Sequence, residues 1–230
     1  MPTLHLQPTA PLAERVLLPG DPGRALLLAQ TLLSEPRMFN HNRGLWGYTG
    51  EASDGRPLTI QSTGMGGPSA AIVVAELADL GARTLVRAGT CGALQESLGL
   101  GDLLVVTEAL AADGTSRGLG GGERVGPDRD LLARLVAALP HGAHGGPIVS
   151  SDLFYDSPDG AEETWRDQGA LAVEMETATL FALAARRGLR AASVLLVSDL
   201  VLPRRARINP EALRDGEQAL GQLAMAALRT

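Results

Sequence analysis

Short apolar runs alternate along the chain with segments whose apolar residues recur every three or four positions. The short runs are typical of buried strands, and the periodic segments are typical of helices that pack on a sheet. We predict strands at residues 15–18, 84–89, 102–110, 147–150, 170–174 and 192–197, and further strands with turns within 37–63. We predict helices at residues 24–33, 70–80, 129–138, 161–168 and 176–187, and a C-terminal helix that Asn209 opens.

This alternation indicates an α/β fold. No Pro/Ser-rich linker or internal repeat interrupts it, so residues 1–230 are predicted to form a single domain. Residues 1–10 are predicted to form an arm, and residues 114–126 a glycine-rich loop. Because ligands of α/β sheets bind where strands end in loops, the side chains at those ends are the candidates for chemistry.

Composition narrows the classes of function. A net charge of −6 argues against binding to nucleic acid backbones, and no apolar run reaches the roughly 18 residues of a membrane span. A single cysteine, Cys91, and the absence of a secretion signal pattern favour a cytoplasmic protein. His and Cys show no metal-ligand spacing. All 20 basic residues are Arg, which excludes Schiff-base and P-loop lysines, so an anion site must use Arg, backbone N–H groups and hydroxyls.

Two strand ends combine arginine with glycine. The loop Pro19-Gly20-Asp21-Pro22-Gly23 precedes Arg24 at a helix N-terminus, where backbone N–H groups and a guanidinium favour an anion. Arg87 ends an apolar strand before Gly89 and Thr90, and a buried arginine must face an anion or a carboxylate. The alternatives are an ordinary turn with a surface Arg24, and an Arg87 that pairs with an internal Asp or Glu.

Carboxylates stand at two further strand ends. Glu174 and Glu176 flank a strand-to-helix turn and could accept hydrogen bonds from the vicinal hydroxyls of a ribose; alternatively, Glu176 simply favours the positive helix end. Asp199 ends the last buried strand, where burial would favour the protonated acid and let it donate a proton. The alternative for Asp199 is that it caps a turn.

In this order, these segments make the chain resemble the hexameric purine nucleoside phosphorylase and uridine phosphorylase family. The likeness covers nearly the whole length and rests on the motifs at residues 16–24, 42–44, 64–69, 87–92, 151–155, 173–176 and 197–199. The resemblance implies a phosphorylase/hydrolase-like fold, in which a mixed twisted sheet forms a distorted barrel flanked by helices. It also implies a hexamer of three dimers whose sites are shared across each dimer.

The resemblance further implies a purine nucleoside phosphorylase, which reversibly converts purine (deoxy)ribonucleosides to free base and (deoxy)ribose 1-phosphate. Inorganic phosphate would be the co-substrate, with no cofactor and no metal. The family's phosphate-binding positions correspond to Gly20, Arg24, Arg43, Arg87 and Thr90. Among them, Arg43 would reach into the site of the neighbouring subunit.

The family's nucleoside-binding positions correspond to His5, Phe154, Glu174, Met175, Glu176 and Asp199. The resemblance implies that the neighbour's His5 contacts the ribose 5′-hydroxyl and that Glu176 accepts from the 2′- and 3′-hydroxyls. Phe154 would pack on the base. Asp199 would protonate the leaving purine, which makes it, with Arg87, a predicted catalytic residue.

Four alternatives differ in substrate or chemistry. After Phe154-Tyr155 the chain lacks the Gln and Arg with which uridine phosphorylases contact uracil, and those enzymes also lack the acid at Asp199. Both differences favour purines, with uridine and 5′-methylthioadenosine phosphorylases as alternatives. A hydrolytic nucleosidase would not need the arginines, and a non-catalytic nucleoside-binding protein would lose the acid or the phosphate ligands. The arginine that assists Asp199 is to be found among Arg204, Arg205, Arg207 and Arg214, with Arg207 and Arg214 preferred.

Overall fold

The computed structural model describes residues 3–229; Met1 and Pro2 of the predicted arm, and Thr230 at the end of the predicted domain, lie outside the described residues. The described strands are β1 (Arg15–Leu18), β2 (Leu33–Asn40), β3 (Gly47–Ala52), β4 (Pro57–Gln61), β5 (Thr84–Ala93), β6 (Leu103–Ala112), β7 (Arg124–Val125), β8 (His144–Ser151), β9 (Ala172–Glu174), β10 (Arg190–Leu200) and β11 (Ala206–Arg207). The α-helices are α1 (Pro22–Leu32), α2 (Gly67–Leu80), α3 (Gly114–Gly118), α4 (Arg129–Ala137), α5 (Ala161–Asp167), α6 (Thr177–Arg187) and α7 (Pro210–Leu228). Within residues 3–229, no helix has both the length and the apolar character that crossing a bilayer requires.

The strands form one mixed sheet in the order β11-β10-β6-β8-β9-β5-β1-β4-β3-β2, with β7 beside β6. β5 also pairs in parallel with β10, which closes β5, β10, β6, β8 and β9 into a five-stranded barrel. β1 continues the sheet outside the barrel in parallel with β5 and β4. The predicted mixed sheet that forms a barrel flanked by helices is therefore confirmed.

Two layers of helices cover the sheet. Alternate residues of a strand face opposite sides, so Val16 and Leu18 of β1 pack with α2 and α6, whereas Leu17 packs with α1 and α7. The helix α4 joins the second layer through Leu131 and Leu135. Each layer buries a large apolar cluster against the sheet, and this packing supports the strand ends that carry polar side chains.

Two of the differences between the predicted elements and the structure concern β5 and residues 114–126. β5 does not end at Gly89 but continues to Ala93, because β10 and β9 provide hydrogen-bonding partners along this segment. Residues 114–126 do not form a simple loop. Asp113 accepts the Ser116 N–H and caps the short α3, while β7 pairs with β6. The prediction of a loop was wrong here because capping and strand pairing offset the low helix and strand propensities of glycine.

Candidate active site

A cavity of about 900 Å³ opens where β1, β4, β5 and β10 end. The predicted site residues that line it are Gly20, Arg24, Arg87, Thr90, Phe154, Glu174, Met175, Glu176 and Asp199. The fold thus brings together side chains that lie up to 179 positions apart, Gly20 and Asp199 being the extremes. The remaining two predicted site residues, His5 and Arg43, are not among those that line it.

Arg87 lies buried at the centre of the charged end of this cavity. Its side chain folds over Gly89, where a Cβ atom would lie 2.6 Å from the Arg87 Cζ, so a larger residue would displace it. Nε donates to Glu174 Oε2 at 2.9 Å, and Nη2 lies 2.5 Å from Glu176 Oε2. The alternative that Arg87 pairs with internal carboxylates is therefore confirmed. These two pairs engage Nε and Nη2, but not the other terminal nitrogen of the guanidinium.

The remaining nitrogen of the Arg87 guanidinium is Nη1. Arg87 Nη1 is buried and has no hydrogen-bond partner among residues 3–229. A Cβ built on Gly20 would lie 3.9 Å from this nitrogen, so the glycine loop passes directly beside it. Leaving a charged donor buried and unpaired is costly, and an anion held between Arg87 and the loop would satisfy it.

Glu174 supports this arrangement through the N-terminus of α6. Its carboxylate accepts the N–H groups of Glu176 and Thr177 at 3.0 Å and a hydrogen bond from the Ser150 hydroxyl, in addition to the bond from Arg87. The Glu174 side chain is only 1% exposed. A nucleoside hydroxyl would have to replace one of these bonds to reach the carboxylate, so direct contact of Glu174 with a nucleoside stays a prediction.

Glu176 is held differently. It occupies the N-cap position of α6, as the alternative of a favourable charge at the positive helix end requires, but its side chain makes no cap hydrogen bond. Instead, Oε1 accepts the Gly66 N–H at 2.5 Å and Oε2 faces Arg87. Burial raises the pKa of Glu176; Arg87 opposes this shift and the nearby Glu174 adds to it. Burial also acts to lower the pKa of Arg87, but Glu176 and Glu174 outweigh it, so this pKa is raised and the guanidinium stays charged.

Arg24 reaches the cavity from the first turn of α1. Asp21 caps that helix by accepting the Arg24 backbone N–H at 2.7 Å. The Arg24 side chain is buried, and its Nε donates to Glu217 Oε1 at 2.8 Å. The alternative of a surface arginine is therefore wrong. The loop before Arg24 is bonded to the loop after β4, where the Gly64 N–H donates to the Gly20 carbonyl at 3.0 Å.

Asp199 is partly buried at the end of β10, with a side chain that is 30% exposed. Its Oδ2 accepts the Ser198 hydroxyl at 2.7 Å, and Oδ1 lies 3.7 Å from Arg207 Nε. Because these partners are side chains, the turn-capping alternative is not supported. β11 pairs with β10 so that Arg207 lies opposite Asp199, which distinguishes Arg207 from Arg204, Arg205 and Arg214.

The opposite wall of the cavity is apolar and aromatic. Phe154 projects from the loop after β8, and its ring meets that of Tyr155 edge to face at 4.9 Å. Trp165 of α5 and Val201 after β10 also line the cavity. At its rim, Arg205 Nη2 lies 2.9 Å from Glu162 Oε1. The sequence analysis missed Trp165, because nothing local distinguishes a cavity tryptophan from one that packs in the core.

His5 and Arg43 lie together on another part of the surface. His5 Nδ1 is 2.7 Å from Glu76 Oε1 of α2, and the Asn42 side chain donates to the His5 carbonyl at 2.9 Å. Burial acts to raise the pKa of Glu76, but the backbone N–H groups of Leu6 and His5 and the His5 ring lower it overall. Arg43 itself is exposed in a left-handed turn with φ 58°. Their contribution to a neighbouring subunit stays a prediction.

The cavity therefore combines two buried arginines, each paired with carboxylates, with an aromatic wall. A sequence model described as the phosphorylase superfamily matches residues 14–229, and the chain belongs to this family. The resemblance noted in the sequence is thereby confirmed.

Two relatives illustrate the similarity. The chain is 42% identical over 215 residues to the guanosine phosphorylase of Halorubrum lacusprofundi, covering 86% of this chain and 88% of the relative. It is 41% identical over 201 residues to a DeoD-type purine nucleoside phosphorylase of Geobacillus kaustophilus, covering 84% of each.

Proposed function

We propose that the protein is a purine nucleoside phosphorylase, a pentosyltransferase that reversibly converts purine ribo- and deoxyribonucleosides to free base and pentose 1-phosphate. The observation that carries this proposal is the buried Nη1 of Arg87, which lies beside Gly20 and next to Glu176 and has no hydrogen-bond partner among the described residues. An anion there would lie beside a carboxylate suited to sugar hydroxyls. The names of the relatives support purine nucleosides as the substrate class.

Phosphate would be the nucleophile, with no cofactor and no metal. Arg24 and Arg87 would hold it, and both keep their charge at working pH because guanidinium groups do not deprotonate in proteins. Thr90 would add a hydroxyl donor. As the glycosidic C–N bond stretches, the sugar gains oxocarbenium character, as in glycoside hydrolysis. Glu176 would accept from the 2′- and 3′-hydroxyls, while a phosphate oxygen forms the new bond to the anomeric carbon.

The departing base needs a proton. Asp199 in its acid form would donate to the imidazole-side nitrogen of the purine, so that a neutral base leaves and a carboxylate remains. Arg207, 3.7 Å away, would stabilise that carboxylate and so favour the transfer. Phe154 and Trp165 would flank the purine with their rings. Each step uses groups that line one cavity.

A substrate panel tests this proposal. Initial rates are measured with inosine, guanosine, adenosine, 5′-methylthioadenosine and uridine, each with and without phosphate. We expect purine turnover that requires phosphate. Turnover without phosphate would indicate a hydrolytic nucleosidase, and faster turnover of uridine than of any purine would indicate a uridine phosphorylase. A preference for 5′-methylthioadenosine would assign that substrate instead, and no turnover of any nucleoside would favour a binding protein.

We further propose a homo-oligomer, a hexamer built as a trimer of dimers, in which each site is completed by His5 and Arg43 of the neighbouring subunit. The supporting observation is that the two residues lie outside their own cavity and are joined through Asn42, as one surface feature would be. A cytoplasmic location and a role in purine salvage stay predictions.

Subunit mixing checks this shared site. Arg43→Ala and Glu176→Gln chains are each expected to be nearly inactive. After exchange, random pairing should restore about a quarter of the unmodified activity, because half of the dimers are mixed and each has one intact site. As a control, a mixture of Glu176→Gln and Asp199→Asn chains should stay inactive. One subunit contributes both residues to a site, so every site in a mixed dimer keeps one of the two defects. No recovery with Arg43→Ala, despite verified exchange, would mean that one chain builds the whole site.

A further inference from the structure

We infer that Glu217 is a positioning residue of the phosphate site, which orients Arg24 by its Nε and leaves both terminal nitrogens for the anion. This inference rests on the proposed function. Glu217 Oε1 accepts from Arg24 Nε at 2.8 Å, and the two side chains are only 13% and 8% exposed. Within residues 3–229, no hydrogen bond engages the Nη1 or Nη2 of Arg24. Both residues line the cavity.

The packing of two helices sets this contact. Gly221 of α7 lies against Leu28 of α1, and a Cβ at position 221 would overlap the Leu28 side chain. Arg24 is one turn before Leu28, and Glu217 is one turn before Gly221, so each pair lies on one face of its helix. Gly216 also lets α7 approach β10, since a Cβ there would lie 2.8 Å from Leu196 Cδ1. The close approach of the two helices brings Glu217 to Arg24.

The second arginine of the site is held in the same way. Glu174 accepts from the Nε of Arg87; Nη2 contacts Glu176 in addition, and Nη1 has no hydrogen-bond partner within residues 3–229. Arg24 and Arg87 therefore each have a carboxylate on Nε and at least one terminal nitrogen without a hydrogen-bond partner in the described part of the chain. A guanidinium held through Nε presents its outer edge to an anion in a fixed direction, which suits the forked geometry of arginine–phosphate recognition.

Two effects of Glu217 on phosphate oppose each other. Because Glu217 orders the Arg24 side chain before the anion binds, most of the entropy cost of ordering an arginine side chain on binding is avoided. The negative charge of Glu217, however, weakens the attraction between the site and phosphate. Two substitutions separate these effects. Glu217→Gln keeps an oxygen acceptor for Nε and removes the charge, whereas Glu217→Ala removes both.

The experiment measures KM for phosphate, KM for inosine and kcat. For Glu217→Ala we expect KM for phosphate to rise about tenfold, because the Arg24 side chain would then lose its conformational entropy when phosphate binds. KM for inosine should change less than about twofold. For Glu217→Gln we expect a phosphate KM equal to or below that of the unmodified protein. Adding Glu217→Ala to Arg24→Gln should cause no further loss, because the effect of Glu217 passes through Arg24.

Asp215→Ala is the matched control, because Asp215 is an exposed acid of the same helix with no ion pair in the described residues. The KM of this variant for phosphate should equal that of the unmodified protein. A lower phosphate KM in both Glu217 variants would make Glu217 a simple counter-charge and overturn the inference. So would an equal rise for phosphate and inosine, or a further loss in the Arg24→Gln background. An unmodified protein without phosphorolysis would instead contradict the proposed function itself.

Discussion

An Arg87→Gln protein is expected to lose at least about 100-fold in kcat/KM for purine phosphorolysis. Arg87 presents a buried charged donor to the proposed anion, and contacts of this kind contribute several kcal/mol to the transition state. The measurement is a steady-state rate at phosphate concentrations that span KM. Near-normal kcat/KM would remove Arg87 from the phosphate site.

Stability has to be separated from catalysis in this variant. Arg87 balances Glu174 and Glu176, and breaking a buried ion pair on one side costs about 3–5 kcal/mol. Thermal unfolding therefore accompanies the kinetics. Arg24→Gln provides a second variant that removes a proposed phosphate ligand while leaving the Arg87 cluster whole, and it should also lose phosphate binding.

Arg190→Gln is the control for the loss of an arginine ion pair. Arg190 pairs with Asp128 and Asp130 at the start of β10, at the opposite end of the strand from Asp199. Its removal should lower stability without a change in phosphate KM. If Arg190→Gln reduced activity as much as Arg87→Gln, the loss in both variants would reflect folding and not phosphate binding.

Asp199→Asn is expected to separate two kinds of nucleoside. Asn keeps the shape of the side chain and a hydrogen-bond donor, but it cannot deliver a proton to the leaving purine. Turnover of inosine and adenosine should fall by about 100-fold or more, since a positioned general acid typically contributes a factor of that size or larger. A 7-methylguanosine substrate already carries positive charge on its imidazole ring, so it should be largely spared.

The comparison is made as a ratio of kcat/KM between inosine and 7-methylguanosine, before and after the substitution. Arg207→Gln, which removes the group opposite Asp199, should change this ratio in the same direction but less, because the acid itself remains. Equal losses on both substrates in Asp199→Asn would show that Asp199 shapes the pocket and does not transfer a proton.

Strand ends were the part of the site that sequence could predict. Arg87 is followed by Gly89, and Glu176 stands where a strand turns into a helix; both patterns are local, and both residues line the cavity. The sequence could not decide whether Arg87 faces a carboxylate or an anion. The structure explains why the question had no single answer: one guanidinium contacts two carboxylates, and one of its nitrogens still has no partner in the part of the chain that the structure describes.

Long-range pairings were the part that sequence could not supply. Glu217 meets Arg24 only because α7 returns to pack on α1, and Arg207 meets Asp199 only because β11 pairs with β10. Closure of the barrel by β5 and β10 likewise depends on hydrogen bonds between distant segments. Such contacts join residues that are far apart in the sequence, so no local pattern in the chain marks them.

The most direct test of phosphorolysis follows the phosphorus atom. Inosine is incubated with the protein and limiting phosphate, and the reaction is observed by ³¹P NMR while free hypoxanthine is quantified. We expect the phosphate resonance to be replaced by that of ribose 1-phosphate, with one equivalent formed for each hypoxanthine released. Hypoxanthine that appears with free ribose, while the phosphate resonance stays unchanged, would contradict the phosphate site around Arg87.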